Sequence, residues 1–159
     1  MPNLNYIRGN VIDPILPEVV ICHVCNDIGR MGSGVAKAIS DKWPIVKKEY
    51  LDWFSRPKYM NKKEPVLGEV DYIRVNDYII VCNMIAQHSI ISLGESKPIR
   101  YDALEKCLTD VYDFCKDMKL TLHMPKIGSG LARGDWTEIE KIILKTITID
   151  TWVYEWNKK

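Results

Sequence analysis

The run Val-Val-Ile-Cys-His-Val at residues 19–24 is the feature that most narrows the possible folds of this chain. It is apolar at every position except His23 and does not alternate with polar residues. A strand with one face in water alternates between apolar and polar side chains, so an unbroken run predicts a central strand covered on both faces. A segment of helical character, Gly34 to Lys42, follows after a glycine-containing loop. A buried strand followed by a helix predicts an α/β fold.

Strands and helices alternate along the rest of the chain. We predict strands over residues 6–8, 19–24, 68–75, 78–84 and 121–124, a β-rich run over 146–154, and helices over 34–42, 44 to about 54, 101–117 and 136 to about 145. Asn76-Asp77 is typical of a tight hairpin turn, and residues 55–65 and 86–98 have the composition of loops. No linker divides the sequence. We therefore expect one domain over residues 1–159, with a single mixed sheet between two helical layers.

The charge and the cysteines exclude several classes of protein. The 159 residues include 22 basic and 21 acidic side chains without a long basic segment, so the sequence does not indicate binding to nucleic acid or to an anionic membrane. No apolar run approaches the roughly 18 residues of a membrane-spanning helix. Five cysteines at irregular spacing argue against a disulfide framework. We expect a cytoplasmic, monomeric protein.

Two loops share the pattern Gly-Ser-Gly. The first, residues 31–37 (M-G-S-G-V-A-K), follows the strand that contains His23, and the second, residues 127–133 (I-G-S-G-L-A-R), follows the strand that ends at Met124. Glycine permits positive φ angles and lets an anion approach the backbone N–H groups closely. A helix N-terminus adds unpaired N–H groups and a partial positive charge. Ligands of open α/β sheets bind where strands end, so we expect the two loops to hold a diphosphate together.

The same loops exclude two common classes of nucleotide-binding protein. Neither contains the Gly-Lys-Ser/Thr of a P-loop, and Lys37 and Arg133 stand where the dinucleotide fingerprint has its third glycine. A P-loop ATPase and a Rossmann dehydrogenase are therefore not expected. One such loop alone would more often be an ordinary tight turn, but two of them, each after an apolar strand, indicate a phosphate-binding site.

In these segments the sequence resembles the macrodomain family. The resemblance begins at Y-I-R-G-N (residues 6–10), continues through I-C-H-V-C-N (21–26), R-M-G-S-G (30–34), L-G-E-V (67–70) and P-I-R-Y-D-A-L (98–104), and is strongest over M-P-K-I-G-S-G-L (124–131), with Asp135-Trp136 after it. Within the family the chain is similar to the small single-domain branch. That branch contains the yeast ADP-ribose 1''-phosphate phosphatase, related phage proteins and the human hydrolase of ADP-ribosylated glutamate.

The resemblance implies a three-layer α/β/α sandwich that binds ADP-ribose or a derivative in a cleft and needs no cofactor. It implies a diphosphate between the two loops, a distal ribose beside Asn26 and Asp27, and an adenine near Asn10. Tyr101, at the start of a predicted helix, either packs on a ligand ring or belongs to the core. The expected ligand-binding residues are Asn10, Asp27, Gly32, Ser33, Gly34, Val35, Tyr101, Ile127, Gly128, Ser129, Gly130 and Leu131.

Two departures from the family bear on the chemistry. In the glutamate-linked hydrolase, a lysine after the central strand attacks the distal ribose, and an aspartate follows the second Gly-x-Gly-Leu string. Here residues 83–87 read N-M-I-A-Q, with Ile85 and no lysine, and Ala132 stands at the aspartate position. A Schiff base needs an amine, so we do not expect this mechanism in the present chain.

Three polar residues near the expected cleft, His23, Asn26 and Asp135, are the candidates for catalysis. His23 could transfer a proton or contact a phosphoryl oxygen, but a hydrogen-bonded core histidine fits its position equally well. Asp135 could orient a water, although the string Asp135-Trp136-Thr137-Glu138 also has the spacing of a helix capping box. His88 lies in a predicted loop that could close over the distal ribose.

The string Cys22-His23-Val24-Cys25 contains residue types that bind zinc. A tetrahedral zinc site needs a second ligand pair, and the sequence offers no matching Cys/His pair. Residues 22 and 25 also face opposite sides of a strand, so we predict no metal. Cys107 and Cys115 fall on the apolar side of a predicted helix and are expected to fill the core.

Two classes of function remain open at this point. The first is a metal-independent hydrolase that acts on the distal ribose, with release of phosphate from ADP-ribose 1''-phosphate as the favoured reaction. Removal of an ADP-ribosyl or O-acetyl group is a further possibility of the same class. The second is a binding module that holds ADP-ribose without converting it.

Overall fold

The structure, a computed structural model, describes residues 4–55 and 64–155. Its six strands are β1 (Leu4–Arg8), β2 (Val19–Asn26), β3 (Val70–Arg74), β4 (Ile79–Gln87), β5 (Thr121–Pro125) and β6 (Thr151–Glu155). Its four α-helices are α1 (Gly34–Lys42), α2 (Pro44–Ser55), α3 (Tyr101–Met118) and α4 (Trp136–Thr146), and a 3₁₀ turn covers Ile91–Leu93. The predicted alternation of strands and helices is confirmed.

The strands form one sheet with the order β1-β6-β5-β2-β4-β3. Every neighbouring pair is parallel except β3 and β4, which are antiparallel, so the sheet is mixed as predicted. The turn between β3 and β4 depends on Asn76. Its side-chain Oδ1 accepts hydrogen bonds from the N–H groups of Tyr78 (2.8 Å) and Ile79 (2.9 Å). A short polar side chain that binds its own backbone in this way favours a tight turn.

The helices cover both faces of the sheet, as the packing of the β2 side chains shows. Val20 and Cys22 belong to the core cluster that contains the buried side chains of α3 and α4. Val19 and Ile21, which alternate with them, pack in a second cluster with Ile39 of α1 and residues of α2. All four of these β2 side chains are fully buried. The unbroken apolar run is therefore explained by a strand between two helical layers.

The cysteines are buried and unpaired, and the two on α3 lie in the core as predicted. Burial raises the pKa of the Cys107 and Cys115 thiols to about 12, so both stay protonated at neutral pH. Cys22 and Cys25 belong to different clusters on opposite faces of the sheet. Among the described residues, no group of three or more His, Cys, Asp or Glu side chains is placed to hold a metal ion.

Two segments differ from their predictions. The predicted loop from Ala86 begins two residues later, because β4 continues through Gln87. The predicted β-rich run over residues 146–154 begins with the end of α4, and its strand starts only at Thr151. Most of the predicted loop over residues 55–65 lies outside the described residues. No helix in the described part of the chain is long and apolar enough to cross a membrane.

Strands β5, β2 and β4 are adjacent and parallel, so their C-terminal ends lie at the same edge of the sheet. The loops that leave this edge are the Gly-Ser-Gly loop after β2, the Gly-Ser-Gly loop after β5 and the segment after β4 that contains the 3₁₀ turn. Such an edge is where open α/β sheets bind their ligands.

Candidate ligand-binding cleft

A cleft of about 810 Å³ opens at the C-terminal ends of β2, β4 and β5. Its walls are formed by residues 23–26 and 30–36 from β2 and the loop after it, by Gln87 and residues 90–92 from the end of β4, and by residues 125–128 and 130–132 after β5. Both Gly-Ser-Gly loops therefore face the same space. The volume lies in the usual range for small-molecule sites.

The first Gly-Ser-Gly loop leads directly into α1. Ser33 is the N-cap residue in an extended conformation, and its side chain makes no capping hydrogen bond. Gly34 has a φ of +62°, and a Cβ built there would lie 3.1 Å from Cδ1 of Leu131 on the opposite loop. A Cβ on Gly32 would meet nothing within 4 Å. The N-terminus of α1 therefore lies beside the cleft, with room for an anion next to its N–H groups.

The second Gly-Ser-Gly loop is packed more tightly. Gly128 has a φ of +71°, and a Cβ there would lie 2.8 Å from Cδ1 of Ile99. Its carbonyl oxygen accepts a hydrogen bond of 2.6 Å from the N–H of Gly134. The hydroxyl of Ser129 donates to the carbonyl of Lys126 (2.7 Å) and does not line the cleft.

The second loop was predicted to precede a helix that begins at Trp136, and this prediction is confirmed. Helix α4 begins at Trp136, six residues after Gly130. Only the first loop combines glycines with a helix N-terminus. The second loop can offer backbone N–H groups but no helix dipole.

Asn26, a predicted catalytic residue, builds the turn between β2 and the first loop. Its Nδ2 donates to the carbonyl of Arg30 (2.6 Å), and its Oδ1 accepts from the N–H groups of Ile28 (3.2 Å) and Arg30 (3.1 Å). The buried hydroxyl of Tyr50 reaches both the carbonyl oxygen and Oδ1 of Asn26, at 2.7 and 2.8 Å. Asn26 lines the cleft, but these contacts use most of the hydrogen-bonding capacity of its side chain.

Asp27 connects this turn to the segment after β4. Its carboxylate accepts a hydrogen bond from the N–H of Ser89 (2.9 Å) and lies 2.8 Å from Nδ1 of His88. Its own N–H donates to the carbonyl of Gln87 (2.9 Å). Asp27 and His88 do not line the cleft themselves, although Gln87 and Ile90 do. The pair therefore holds one wall of the cleft in position.

His23 lies at the base of the cleft and is almost fully buried, with 1% of its surface exposed. Its Nε2 is 2.5 Å from Oδ1 of Asn83, whose Nδ2 donates to the carbonyl of Val46. That second contact assigns the amide orientation, so Nε2 of His23 carries the hydrogen and Nδ1 is an acceptor. Nδ1 has no hydrogen-bond partner among the described residues. Burial lowers the pKa of His23 to about 4, so it is neutral at pH 7.

Asp135 caps a helix and does not line the cleft. Its Oδ1 accepts from the N–H of Thr137 (2.9 Å), and its own N–H donates to the hydroxyl of Tyr101 (3.0 Å). The reciprocal contact of a capping box is missing, because Glu138 pairs with Lys141 instead. Half of the predicted box is therefore present.

Tyr101 and Asn10 also lie outside the cleft lining. Tyr101 binds the N–H of Asp135 through its hydroxyl, and Nζ of Lys97 lies 5.3 Å from its ring centroid. Asn10 accepts a hydrogen bond from the N–H of Ile12 (3.2 Å) in the segment after β1. Ligand contacts by these two residues, by Asp27 and by Ser129 stay predictions.

The charged residues that line the cleft are both cations. They are Arg30, after β2, and Lys126, after β5, and no carboxylate from the described part of the chain lines the cleft. Lys126 lies 3.2 Å from a carboxylate oxygen of Glu155 and 5.9 Å from the ring centroid of Trp136. A cleft with two cations and no lining carboxylate favours an anionic ligand.

Comparison with known proteins identifies the family. The family model described as the Macro domain matches residues 22–143, which is more than half of the chain. This chain belongs to the macro domain family. A protein of Streptomyces coelicolor described as a macrodomain protein superposes with a TM-score of 0.82 and 32% identity, covering 96% of this chain and 99% of that one.

Other solved structures share the fold of this macro domain. A Bacteroides thetaiotaomicron protein of unknown function superposes with a TM-score of 0.85 and 39% identity, over 96% of this chain and 98% of that one. The Thermosipho africanus DarTG structure in complex with ADP-ribose has a TM-score of 0.75 and 16% identity, over 100% of this chain and 43% of that one. At this identity the DarTG likeness supports the fold alone.

Two relatives match this macro domain over nearly their full lengths. An ADP-ribose 1''-phosphate phosphatase of Candida glabrata is 28% identical, over 91% of this chain and 93% of that protein. An uncharacterized 17.5 kDa protein of Enterobacteria phage T4 is 25% identical, over 88% of this chain and 87% of that protein. The predicted resemblance to the phosphatase and phage branch is therefore confirmed.

Several lining residues of this macro domain were not predicted from the sequence. The wall after β4, formed by Gln87, Ile90, Ile91 and Ser92, was predicted only as a loop. Two adjacent isoleucines in a polar loop were a usable signal, because such residues are seldom left without a contact. The position that faces the cleft at the end of β4 is Gln87, whereas Ile85 is fully buried beside Tyr50.

Proposed function

We propose that this macro domain binds ADP-ribose in the cleft between its two Gly-Ser-Gly loops. The observation that carries the proposal is the composition of the cleft wall. Two glycine loops, one of them at a helix N-terminus, share the cleft with two cations and no lining carboxylate. That combination suits a ligand whose middle part carries two adjacent phosphates.

In this proposal each loop contacts the diphosphate differently. The N–H groups at the start of α1 and the hydroxyl of Ser33, which caps no helix N–H, bind one side of it. The N–H groups of Gly128, Gly130 and Leu131 bind the other side, since those of Ile127 and Ser129 already donate to the carbonyls of Pro125 and Lys126. Gly34 and Leu131 lie close to each other, so the loops are near enough to contact one ligand at once.

The remaining parts of ADP-ribose extend away from the loops. The distal ribose lies beside Asn26 and Asp27, as the family resemblance implies. The rim of the cleft is apolar. Val35 and Leu131 are 43% and 54% exposed without ligand, and Ile90 and Ile91 line the same space. Contact with the sugar and with the body of the nucleotide covers these side chains, which adds apolar burial to the electrostatic attraction.

Calorimetry with ADP-ribose and with AMP tests the binding. We expect measurable ADP-ribose affinity and much weaker AMP binding, because AMP contacts one loop at most. Gly130→Leu provides a blocked cleft, since a Cβ at Gly130 meets no atom within 4 Å and the residue lines the cleft. Ser96→Leu is the matched control, because Ser96 is exposed and lies outside the lining. Equal affinity for the two ligands, or unchanged binding by Gly130→Leu, contradicts the proposal.

A second function, hydrolysis of ADP-ribose 1''-phosphate, is favoured by the relatives. Several of them carry the name ADP-ribose 1''-phosphate phosphatase and match over most of their lengths. We propose that the macro domain releases phosphate from this compound without a metal. Water attacks phosphorus, the bond between phosphorus and the anomeric oxygen breaks, and the proton lost by water is transferred to that oxygen.

The residues of this chain contribute to the reaction mainly by positioning. Two loops that fix the diphosphate also fix the distal ribose. Good positioning of the reactants can lower the activation free energy by several kcal/mol. His23 is neutral and holds the base of the cleft through its Nε2–H, which it donates to Asn83, while its buried Nδ1 has no partner among the described residues. Asn26 and Asp135 act by holding the turn after β2 and the start of α4. Neither Gln87 nor Ala132 supplies an amine or a carboxylate for the lysine route.

Phosphate release in the presence of a chelator tests the second function. We expect wild-type protein and Ser96→Leu to release inorganic phosphate from ADP-ribose 1''-phosphate, and Gly130→Leu to lose this activity. Release that persists in Gly130→Leu would show that another site or a contaminant is responsible. If wild-type protein binds ADP-ribose but releases no phosphate, the chain is a binding module.

A further inference from the structure

Arg30 is a cation in the cleft whose guanidinium group has no partner among the described residues. It is exposed and lines the cleft, and no hydrogen bond or ion pair joins its side chain to another described residue. Lys126, the other lining cation, is paired with Glu155. An arginine that stabilises a fold usually pairs with a carboxylate or a carbonyl oxygen. An unpaired guanidinium in a cleft is therefore available to bind a ligand.

The backbone of Arg30 is held more firmly than an ordinary loop residue. Its N–H donates to Oδ1 of Asn26 (3.1 Å), and its carbonyl accepts from Nδ2 of the same residue (2.6 Å). Asn26 is fixed in turn by the buried hydroxyl of Tyr50. Met31, the next residue, is buried. The base of the side chain is therefore fixed, while its charged end remains exposed in the cleft.

The two cations belong to different sides of the cleft. Lys126 follows β5, next to the second Gly-Ser-Gly loop. Arg30 is tied to Asn26, and Asn26 pairs in register with Gln87 of β4. The diphosphate proposed above lies near the loops, where backbone N–H groups and Lys126 can balance its charge. Arg30 is therefore on the side of Asn26, where the family resemblance implies the distal ribose of the proposed ligand.

We infer that Arg30 is a specificity residue that recognises a phosphate monoester on the distal ribose of ADP-ribose. The planar guanidinium matches two oxygens of a phosphate with parallel N–H donors. Unsubstituted ADP-ribose leaves this group without an anion, so the cleft binds the phosphorylated compound more tightly. The inference rests on the proposed binding of ADP-ribose and names the substituent that the same cleft prefers.

Calorimetry with ADP-ribose, ADP-ribose 1''-phosphate and ADP-ribose 2'-phosphate tests the inference on four proteins. These are wild type, Arg30→Gln, Arg30→Lys and Arg74→Gln, in which an exposed arginine of β3 outside the cleft lining is changed. Mass analysis after each titration verifies that the ligand is intact. Where it is hydrolysed, KM at initial rate and inhibition by ADP-ribose replace the direct titrations.

We expect Arg30→Gln to lower the affinity for ADP-ribose 1''-phosphate about tenfold or more and to change ADP-ribose affinity about twofold at most. The affinity of Arg30→Lys for ADP-ribose 1''-phosphate should lie between those of wild type and Arg30→Gln, since lysine keeps the charge but loses the bidentate contact. Arg74→Gln should match wild type, and the preference should weaken with salt. An equal loss for both ligands in Arg30→Gln assigns Arg30 to the diphosphate and overturns the inference.

Three other results overturn it as well. They are an unchanged 1''-phosphate affinity in Arg30→Gln, a wild-type preference for the 2'-phosphate, and wild-type affinities for ADP-ribose and ADP-ribose 1''-phosphate that are equal. Absence of any ADP-ribose binding by folded wild-type protein is a different result. It overturns the proposed function itself, so the two failures are distinguishable.

Discussion

The first Gly-Ser-Gly loop faces open space, whereas the second lies partly against the core. A Cβ on Gly32 meets nothing, and one on Gly34 meets only a flexible leucine side chain, although the φ of +62° at Gly34 itself favours glycine. In the second loop, Gly128 has a positive φ and no room for a Cβ beside Ile99, while Gly130 is open. The glycines of the two Gly-Ser-Gly loops are therefore explained by two different physical requirements. Glycine is required for the fold at Gly128, and it leaves space for a ligand at Gly32 and Gly130.

The largest expected effect separates these two reasons. Gly128→Leu forces a side chain into a left-handed backbone and against Ile99, and we expect it to lower the free energy of unfolding by about 4 kcal/mol. Gly32→Leu should change it by about 0.5 kcal/mol or less, because its Cβ meets open space. Urea denaturation measures both. Similar losses in the two variants would show that the loops do not differ as described.

Asn26 tests whether the first loop depends on the turn that precedes it. Asn26→Ala leaves the N–H groups of Ile28 and Arg30 without their acceptor, and we expect a loss of about 2 kcal/mol in unfolding free energy. ADP-ribose affinity should fall with it, since the first Gly-Ser-Gly loop follows this turn. Tyr50→Phe, which removes only the supporting hydroxyl, should have a smaller effect of the same kind. If Asn26→Ala has normal stability and normal ADP-ribose affinity but no turnover, Asn26 is a catalytic residue instead.

The strands that lead into the two loops each carry a buried histidine, and these predict a pH dependence. Burial lowers the pKa of His23 on β2 and of His123 on β5 from 6.5 to about 4. Between these values the unfolded chain binds protons that the folded chain does not. Stability is therefore fully present above about pH 6.5 and is lost as the pH falls toward 4. The loss between pH 7 and pH 5 is about 2 kcal/mol for each histidine.

Urea denaturation at pH 7 and pH 5 on wild type, His23→Gln and His123→Gln measures this effect. Each variant should lose less stability than wild type on acidification, because one of the two groups is gone. Other titrating groups are common to all three proteins and cancel in the comparison. If both variants lose as much unfolding free energy between pH 7 and pH 5 as wild type, burial does not lower the pKa of either histidine.

The smallest expected effect concerns the helix after the second loop. Asp135→Ala removes the cap of α4 and should lower the unfolding free energy by about 1 kcal/mol. ADP-ribose affinity and phosphate release should be nearly unchanged, since Asp135 does not line the cleft. Asp135→Asn is the control, because asparagine caps helices as well as aspartate does. A large loss of turnover in Asp135→Asn with normal stability would restore a catalytic role.

Local patterns in the sequence predicted the fold and the two loops well. The apolar run of β2 needed no partner to be recognised, because only a doubly covered strand tolerates it. The cap at Asp135 was likewise visible in four consecutive residues. Both Gly-Ser-Gly loops were expected at one sheet edge because parallel strands end together.

Contacts between distant segments were not predictable in the same way. Asp27 joins the segment at His88, 61 residues away, and the sequence gives no sign of that pairing. The role of Asn26 depends on Tyr50 of α2, and the tautomer of His23 depends on Asn83 of β4. Side-chain partners, unlike strand order, are fixed only by packing.

A crystal structure of the protein with ADP-ribose tests the central claim most directly. The claim is that the two different loops bind one diphosphate between them. We expect phosphate oxygens within hydrogen-bond distance of backbone N–H groups in residues 32–35 and in residues 127–131 of the same molecule. A diphosphate that contacts only one loop, or a nucleotide bound outside the cleft, would contradict it.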